Sequence, residues 1–375
     1  MIDCGFRQPR TSVPVSEFLI VGGGVIGMMT ALQLADAGRR VTLLERGECG
    51  REASWAGGGI VSPLYPWRYS APISTLSRYS EGAYPELSLR LLEETGIDPE
   101  YRQRGLLYLR VDDEERALDW ARQEGKPLQR VGPETIYAKE PNAAPGVESA
   151  LWMPTLGSIR NPRLCRALRA RLQAMPNVAL REHVDVEELV ASAGRIQGVR
   201  TSAGHETAEC VVVCGGAWAS QLLASVDVAL PVRPVRGQMI LFKAPPGLVE
   251  RVVLKDGRYV IPRGDGRVVA GSTLEEVGFD KRTTEAAKGS LYDSALSIVP
   301  GLADCPVEHH WAGLRPGSPD GVPRIGAVPG VEGLWVNAGH YRNGLVLAPA
   351  STRLLADQLL QRTPVVDPAP YRLDT

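Results

Sequence analysis

The glycines between residues 18 and 46 are spaced for one kind of chemistry. A short apolar run, 18–21, leads directly into Gly22-Gly23-Gly24-Val25-Ile26-Gly27 and then into a helical pattern that Gly38 stops. Residues 40–44 read as a second strand and end in Glu45, about twenty residues beyond the glycines. A βαβ unit of this kind binds a dinucleotide. Gly22 permits the tight turn, Gly24 removes a Cβ that would collide with a pyrophosphate, and Gly27 lets helix and strand pack closely. The phosphates meet free amides at the helix N-terminus, and Glu45 accepts hydrogen bonds from the adenosine ribose. The fingerprint alone does not separate FAD from NAD.

Two more glycine clusters bear on that choice. An NAD-type domain continues after the acidic residue with regular α/β units, whereas this chain continues with a glycine-rich loop over 51–60, Arg-Glu-Ala-Ser-Trp-Ala-Gly-Gly-Gly-Ile. Such a loop suits a backbone laid against a planar ring, and Trp55, Ile60 and Val61 make it too apolar to be purely solvated. Near the other end, 334–338 reads as a strand followed by Gly339-His340-Tyr341-Arg342-Asn343-Gly344-Leu345 and a helix from about 348 to 360. A second helix N-terminus therefore faces the cofactor, where its positive end stabilises negative charge on a reduced ring. Metal chemistry has no comparable signature. The six cysteines and five histidines show no ligand spacing, and the adjacent His309 and His310 would point to opposite faces of a strand.

The elements that position these clusters follow from the rest of the chain. Its 375 residues allow two to three domains, and 44% hydrophobic with 23% charged residues is the composition of a globular protein. A net charge of -1 argues against a nucleic-acid partner held by bulk positive charge. No apolar stretch approaches the roughly 18 residues of a membrane helix, so no membrane insertion is expected. Residues 1–16 read as a loose leader, not a secretory signal, and the irregularly spaced cysteines point to a reducing compartment, the cytoplasm. Another buried strand, 209–214, runs into Gly215-Gly216 and returns to the first sheet. Residues 184–192 and 195–204 alternate as a small antiparallel appendage. Residues 236–242, 258–262 and 267–270 read as further strands rather than crossover units.

Four blocks together resemble the D-amino-acid-oxidase-like flavoenzymes, glycine-oxidising members most closely. They are GGGVIG with Glu45, ASWAGGGI, WAGLRPG (311–317) with DGVPRIG (320–326), and GHYRNGLVLAPA (339–350). The resemblance spans 17 to about 360. It implies an α/β fold, with a Rossmann-like FAD-binding domain in pieces (17–85, 145–225 and 325–362) and a substrate domain (86–144 and 226–324) built on a large, mainly antiparallel sheet. It further implies that a small amine, glycine, sarcosine or a small D-amino acid, gives its α-hydrogen as a hydride to flavin N5. The resulting imine hydrolyses to glyoxylate or another 2-oxo acid and ammonia, and molecular oxygen takes the electrons to give hydrogen peroxide. Members of this family commonly form homo-oligomers, and glycine oxidases supply the imine for the thiazole of thiamine.

Residue by residue, the resemblance assigns the substrate carboxylate to Arg315, with Arg342 and Tyr259 beside it. Leu274 occupies the side-chain direction of the substrate. Cofactor contacts fall in the first block on Gly22, Gly24, Val25, Ile26, Gly27, Glu45 and Arg46. In the middle of the chain they fall on Ala53, Ser54, Gly58, Gly59, Ile60, Val186 and Gly313, and in the last block on His340, Arg342, Asn343, Gly344, Leu345 and Val346. No side chain is assigned as an acid or base, because the electron sink is the cofactor. Relatives with covalent flavin carry a cysteine in the block aligned with 313–316; none stands there in this chain, which implies non-covalent FAD. The alternative reading is a D-amino-acid dehydrogenase, with the same fold and FAD, that passes its electrons to a quinone.

Overall fold

The computed structural model describes residues 16–373, so the leader read at 1–16 lies outside the described residues but for Ser16. Two sheets organise the chain. The first has six strands in the order Arg324–Ala327, Leu334–Ala338, Val211–Val213, Phe18–Val21, Val41–Leu44, Val178–Arg181. All neighbours are parallel except the edge pair Arg324–Ala327 and Leu334–Ala338. The inner strands VTLL and VVV are buried at every residue, as expected for strands covered on both faces.

One face carries the helices Val25–Asp36, Ala71–Thr95, Asn161–Gln173 and Gly344–Leu359, packed through Met28, Leu34, Leu76, Leu168 and Leu354. The other carries an antiparallel meander, Val186–Ser192, Arg195–Thr201 and Gly204–Thr207, which is the appendage read from the sequence. The last helix begins four residues earlier than its sequence suggests, at Gly344, and so contains Pro349. Proline has no N–H for the carbonyl four residues back. That carbonyl, Leu345 O, instead accepts from the hydroxyl of the fully buried Tyr84, which lets the helix run unbroken from the cleft into the core.

The second sheet has eight strands in the order Val307–Gly317, Arg233–Phe242, Val268–Gly271, Arg258–Pro262, Val252–Lys255, Leu106–Leu109, Ala150–Met153, Gln129–Val131. It is antiparallel except where Val252–Lys255 meets Leu106–Leu109. Helix Glu285–Ile298 covers one face through Leu291, Ala295 and Ile298; the other face, with Met239, Tyr259 and Ile261, looks toward the first sheet's loops.

Two boundaries differ from the division at 85 and 145. Ala71–Thr95 is one continuous helix with Pro85 inside it, packed with the helices of the first sheet. Ala150–Met153 pairs antiparallel with Leu106–Leu109, so the chain leaves the large sheet only after Met153.

Candidate cofactor and substrate site

The cleft begins at the carboxyl ends of the parallel strands, where α/β sheets bind their ligands. Gly22 has φ +106°, and a Cβ there would stand 2.5 Å from the carbonyl oxygen of Cys214. A Cβ on Gly27 would stand 1.8 Å from Gly22 O, so this residue serves packing and does not line the cleft. Gly24 differs: the nearest neighbour of an added Cβ is Ser54 Oγ at 3.2 Å, and among the described residues no backbone beyond its own local segment lies within 4 Å. The space beside Gly24 is therefore cleft, not protein. Gly23, to which the sequence alone assigns no role, is constrained as well. Its Cβ would meet Cys49 Sγ at 2.5 Å, and its amide donates to Glu45 Oε2 at 2.7 Å. Glu45 Oε1 accepts from Gly47 N at 2.9 Å, and each oxygen keeps a lone pair for a ribose hydroxyl.

Two cavities share Gly24, Ala53, Ser54, Cys214 and Gly216 and form one elongated cleft. The end that holds Glu45 also holds Gly22, Arg46 and Val186. Arg46 lies 3.7 Å over the Trp218 ring and pairs with Glu52, a cation–π contact that sequence reasoning missed. The other end gathers Val25, Ile26, Gly58, Gly59, Ile60, Gly313, His340, Arg342, Asn343, Gly344, Leu345 and Val346, together with Tyr259 and Arg315. Residues more than 300 apart in sequence meet there because both sheets contribute walls.

The loop over 51–60 is more ordered than its glycines suggest. Ala53–Ala56 forms a short helix, docked by Trp311 Nε1 donating to Ala56 O at 3.0 Å and by an edge contact between Trp55 and Trp311, 5.5 Å between centroids. Gly313 makes room for it, since a Cβ there would lie 2.5 Å from Ala56 Cβ. Ser54 Oγ accepts from Val25 N at 2.8 Å, and Asn161 Nδ2 donates to Ser54 O at 2.8 Å, so the loop is tied to the start of the fingerprint helix.

Arg315 sits in an extended strand, paired with Val235, and not in the tight segment that GLRPG suggests. Its guanidinium lies across Gly237, where a Cβ would be 2.0 Å from Nη1. A glycine inside a strand often marks such a close approach, but 236–242 reads from the sequence only as a strand, without Gly237 being singled out. Nη1 donates to Thr273 O at 3.1 Å and Nη2 to Ser272 Oγ at 2.8 Å; among the described residues no carboxylate pairs with it. Burial above all, with the charge of Arg342 adding to it, pulls the Arg315 pKa below its ordinary value, though a guanidinium remains cationic. The Tyr259 hydroxyl makes no hydrogen bond among the described residues and borders Gly58 and Gly271.

His340 is 1% exposed, with Nε2 3.1 Å from Ser351 Oγ, and burial pushes its pKa down to about 3. It is a neutral wall residue. Of the assigned residues, Gly27 and Leu274 line neither cavity; Gly27 is in the packing beneath the turn, whereas Leu274 is carried to the surface, 53% exposed. Its neighbours Thr273 and Glu275 turn inward onto Gln238, and in extended chain the residue between them faces outward.

These residues fit FAD. Two helices, Val25–Asp36 and Gly344–Leu359, start at the cleft with no side-chain N-cap of their own, and their first residues line it. The glycines leave room beside the first helix for a pyrophosphate, and the second helix presents its positive end to the cleft.

Comparison with known proteins agrees. Residues 17–358 match the DAO family model, FAD dependent oxidoreductase. The chain is 54% identical to a glycine oxidase of Pseudomonas aeruginosa over 94% of its length and 97% of that protein. It is 32% identical to a bifunctional protein ThiO/ThiG of Trichormus variabilis, over 92% of this chain and 53% of that one. The crystal structure of glycine oxidase from Geobacillus kaustophilus superposes with a TM-score of 0.89 at 33% identity, covering 96% of this chain and 98% of the other. With its dinucleotide cleft, its second glycine loop and this match over nearly its whole length, the chain belongs to the DAO family of FAD-dependent oxidoreductases.

Proposed function

We propose that this enzyme oxidises glycine and other small amines, sarcosine and small D-amino acids among them, to glyoxylate or the corresponding 2-oxo acid and ammonia, with oxygen reduced to hydrogen peroxide. The observation that carries the reading is Arg315, a cation without a carboxylate partner among the described residues, in the wall of the cleft that holds the flavin end of the cofactor. FAD, when bound, supplies a two-electron acceptor that oxygen can regenerate. The chain's own residues bind and orient. Arg315 takes the substrate carboxylate in a bidentate fork, Arg342 adds a second positive charge, and the Tyr259 hydroxyl donates a third contact. Among the described residues the flavin end is lined by no Asp, Glu or Lys, and its histidine is neutral and engaged with Ser351. The substrate's amine therefore enters already deprotonated, and the protein's contribution to the reaction is orientation.

The cofactor contacts follow the same division. Glu45, Arg46 and Val186 serve the adenosine, Gly22, Gly24, Val25 and Ser54 the phosphates, and Gly58 to Ile60 with Gly344 to Val346 the flavin. Attachment is non-covalent. Cys214, which lines the cleft, is a poor nucleophile because burial pushes its thiol up to about 12. The alignment with ThiO/ThiG supports a place in the supply of the thiamine thiazole, and the free buried cysteines support a reducing, cytoplasmic setting.

Oxygen uptake by the purified protein with glycine, sarcosine and D-alanine tests the reading, with the visible spectrum followed anaerobically. Flavin bleaching together with uptake on glycine is expected. Bleaching without uptake would make the enzyme a dehydrogenase with another acceptor, and no bleaching with any small amine would end the substrate assignment.

A further inference from the structure

Asn337 lies at the carboxyl end of strand Leu334–Ala338, one residue beyond the Val213–Val336 pair and thus beside Cys214. It is 1% exposed, and neither atom of its carboxamide has a hydrogen-bond partner among the described residues. Buried polar side chains are paired in the great majority, so a carboxamide unpaired at both atoms calls for a ligand. It also lines the flavin end of the cleft. Leu334, Val336 and Ala338 enter the core on the meander side of the sheet, whereas Trp335 packs against the helical side. Alternation sends Asn337 with Trp335, toward the layer where Val25–Asp36 and Gly344–Leu359 both begin.

The chemistry of the group narrows the ligand. A carboxamide offers donors and an acceptor at one spot, and its natural partner does the same. A pyrophosphate or a substrate carboxylate only accepts. The adenosine end, with Glu45 and Val186, belongs to the other cavity, which Asn337 does not line. Cys214 lines both cavities, so its neighbour stands where they join, between the phosphate turn and the flavin. The stretch of FAD that passes there is the ribityl chain, whose hydroxyls both donate and accept. We propose that Asn337 is a cofactor-binding residue that hydrogen-bonds a ribityl hydroxyl of FAD. The inference rests on the FAD assignment and adds to it a contact outside the glycine blocks.

Titration of the apoprotein with FAD, with ADP and with arabino-FAD, which inverts one ribityl hydroxyl, tests it. Asn337→Ala is expected to weaken FAD by about tenfold, the loss of roughly one hydrogen bond, while ADP affinity stays within about twofold. Wild-type protein should prefer FAD to arabino-FAD, and the variant should lose that preference. Unchanged FAD affinity, or an equal loss for FAD and ADP, would overturn the proposal, the second by showing a merely structural role. A variant that still prefers FAD to arabino-FAD as strongly as wild type would do so too. Should Asn337→Ala fail to fold, Asn337→Ser is judged by the same criteria. A wild-type apoprotein that bound ADP but not FAD would overturn the proposal together with the flavin assignment.

Discussion

Arg315 and Gly237 form a pair in which each residue explains the other. The guanidinium spends two donors on Thr273 O and Ser272 Oγ, which fix its plane, and the glycine beneath it supplies the space. Arg315→Ala should remove a charged contact of about 1.5 to 3 kcal/mol and raise KM for glycine roughly ten- to over a hundredfold, with FAD affinity unchanged. Steady-state kinetics with a parallel FAD titration would check this; a wild-type KM would place the carboxylate elsewhere. Gly237→Ala keeps the charge but drives a methyl group to within 2.0 Å of Nη1, so the fork must move. Its KM should rise by about tenfold, the value of one displaced charge-assisted hydrogen bond, again with FAD retained. Arg315 was legible in the sequence because it lay in a family block, whereas the role of Gly237 emerged only when the fold laid the guanidinium across it. Leu274 shows the limit of that approach. An aligned position names a residue, but whether it faces a cavity depends on which way an extended segment turns, and here Thr273 and Glu275 took the inward positions.

At the scale of elements, the four inner strands of the first sheet were legible because both of their faces are covered, so apolar runs announce them. The partly exposed edge strands Val178–Arg181 and Arg324–Ala327 were not singled out. The start of the last helix was not legible either, because Pro349 reads as a boundary until the distant Tyr84 is seen to satisfy the carbonyl it frees. The same dependence on remote partners governs the end of Pro133–Lys139. Glu140, fully buried, follows that helix and accepts from the amides of Glu250 (2.9 Å) and Arg251 (3.0 Å), pinning the approach to strand Val252–Lys255. Burial pushes its pKa up to about 7 against an ordinary 4.5, even though the two amides and Arg251 pull the other way. The native state therefore holds a proton that the unfolded chain releases. The resulting stability is fully present below about pH 4.5 and is lost as pH rises through 7, by up to about 3 kcal/mol. Glu140→Gln keeps an acceptor but cannot titrate. The stability of the variant relative to wild type, from urea melts between pH 5 and 8, should rise with pH. A difference that stays flat would mean that Glu140 is ionised throughout.

At the scale of the whole molecule, the cleft is the place where two sheets of different construction meet, and the glycines of the fingerprint divide their work between folding and binding. Gly22 and Gly27 answer to protein atoms, Cys214 O and Gly22 O, so the fold itself requires them. Gly24 has φ -70°, which any residue adopts, and an added Cβ would find only the end of the Ser54 side chain nearby. On the proposed reading its demand comes from the cofactor. Gly24→Ala should accordingly leave the apoprotein's melting temperature within about 2 °C of wild type, as expected for a tolerated substitution. It should nevertheless strip the protein of its yellow colour on purification. Wild-type protein gains about 2.7 kcal/mol at a hundredfold excess of FAD over Kd, and because Gly24 and His340 from one sheet and Tyr259 and Arg315 from the other line the same cavity, that gain should protect both sheets. Hydrogen exchange with and without FAD would read this directly. Slower exchange is expected in 22–28 and in 235–239 alike for wild type, and in neither segment for Gly24→Ala. Protection confined to 22–28 would mean that the large sheet closes over the flavin without being stabilised by it.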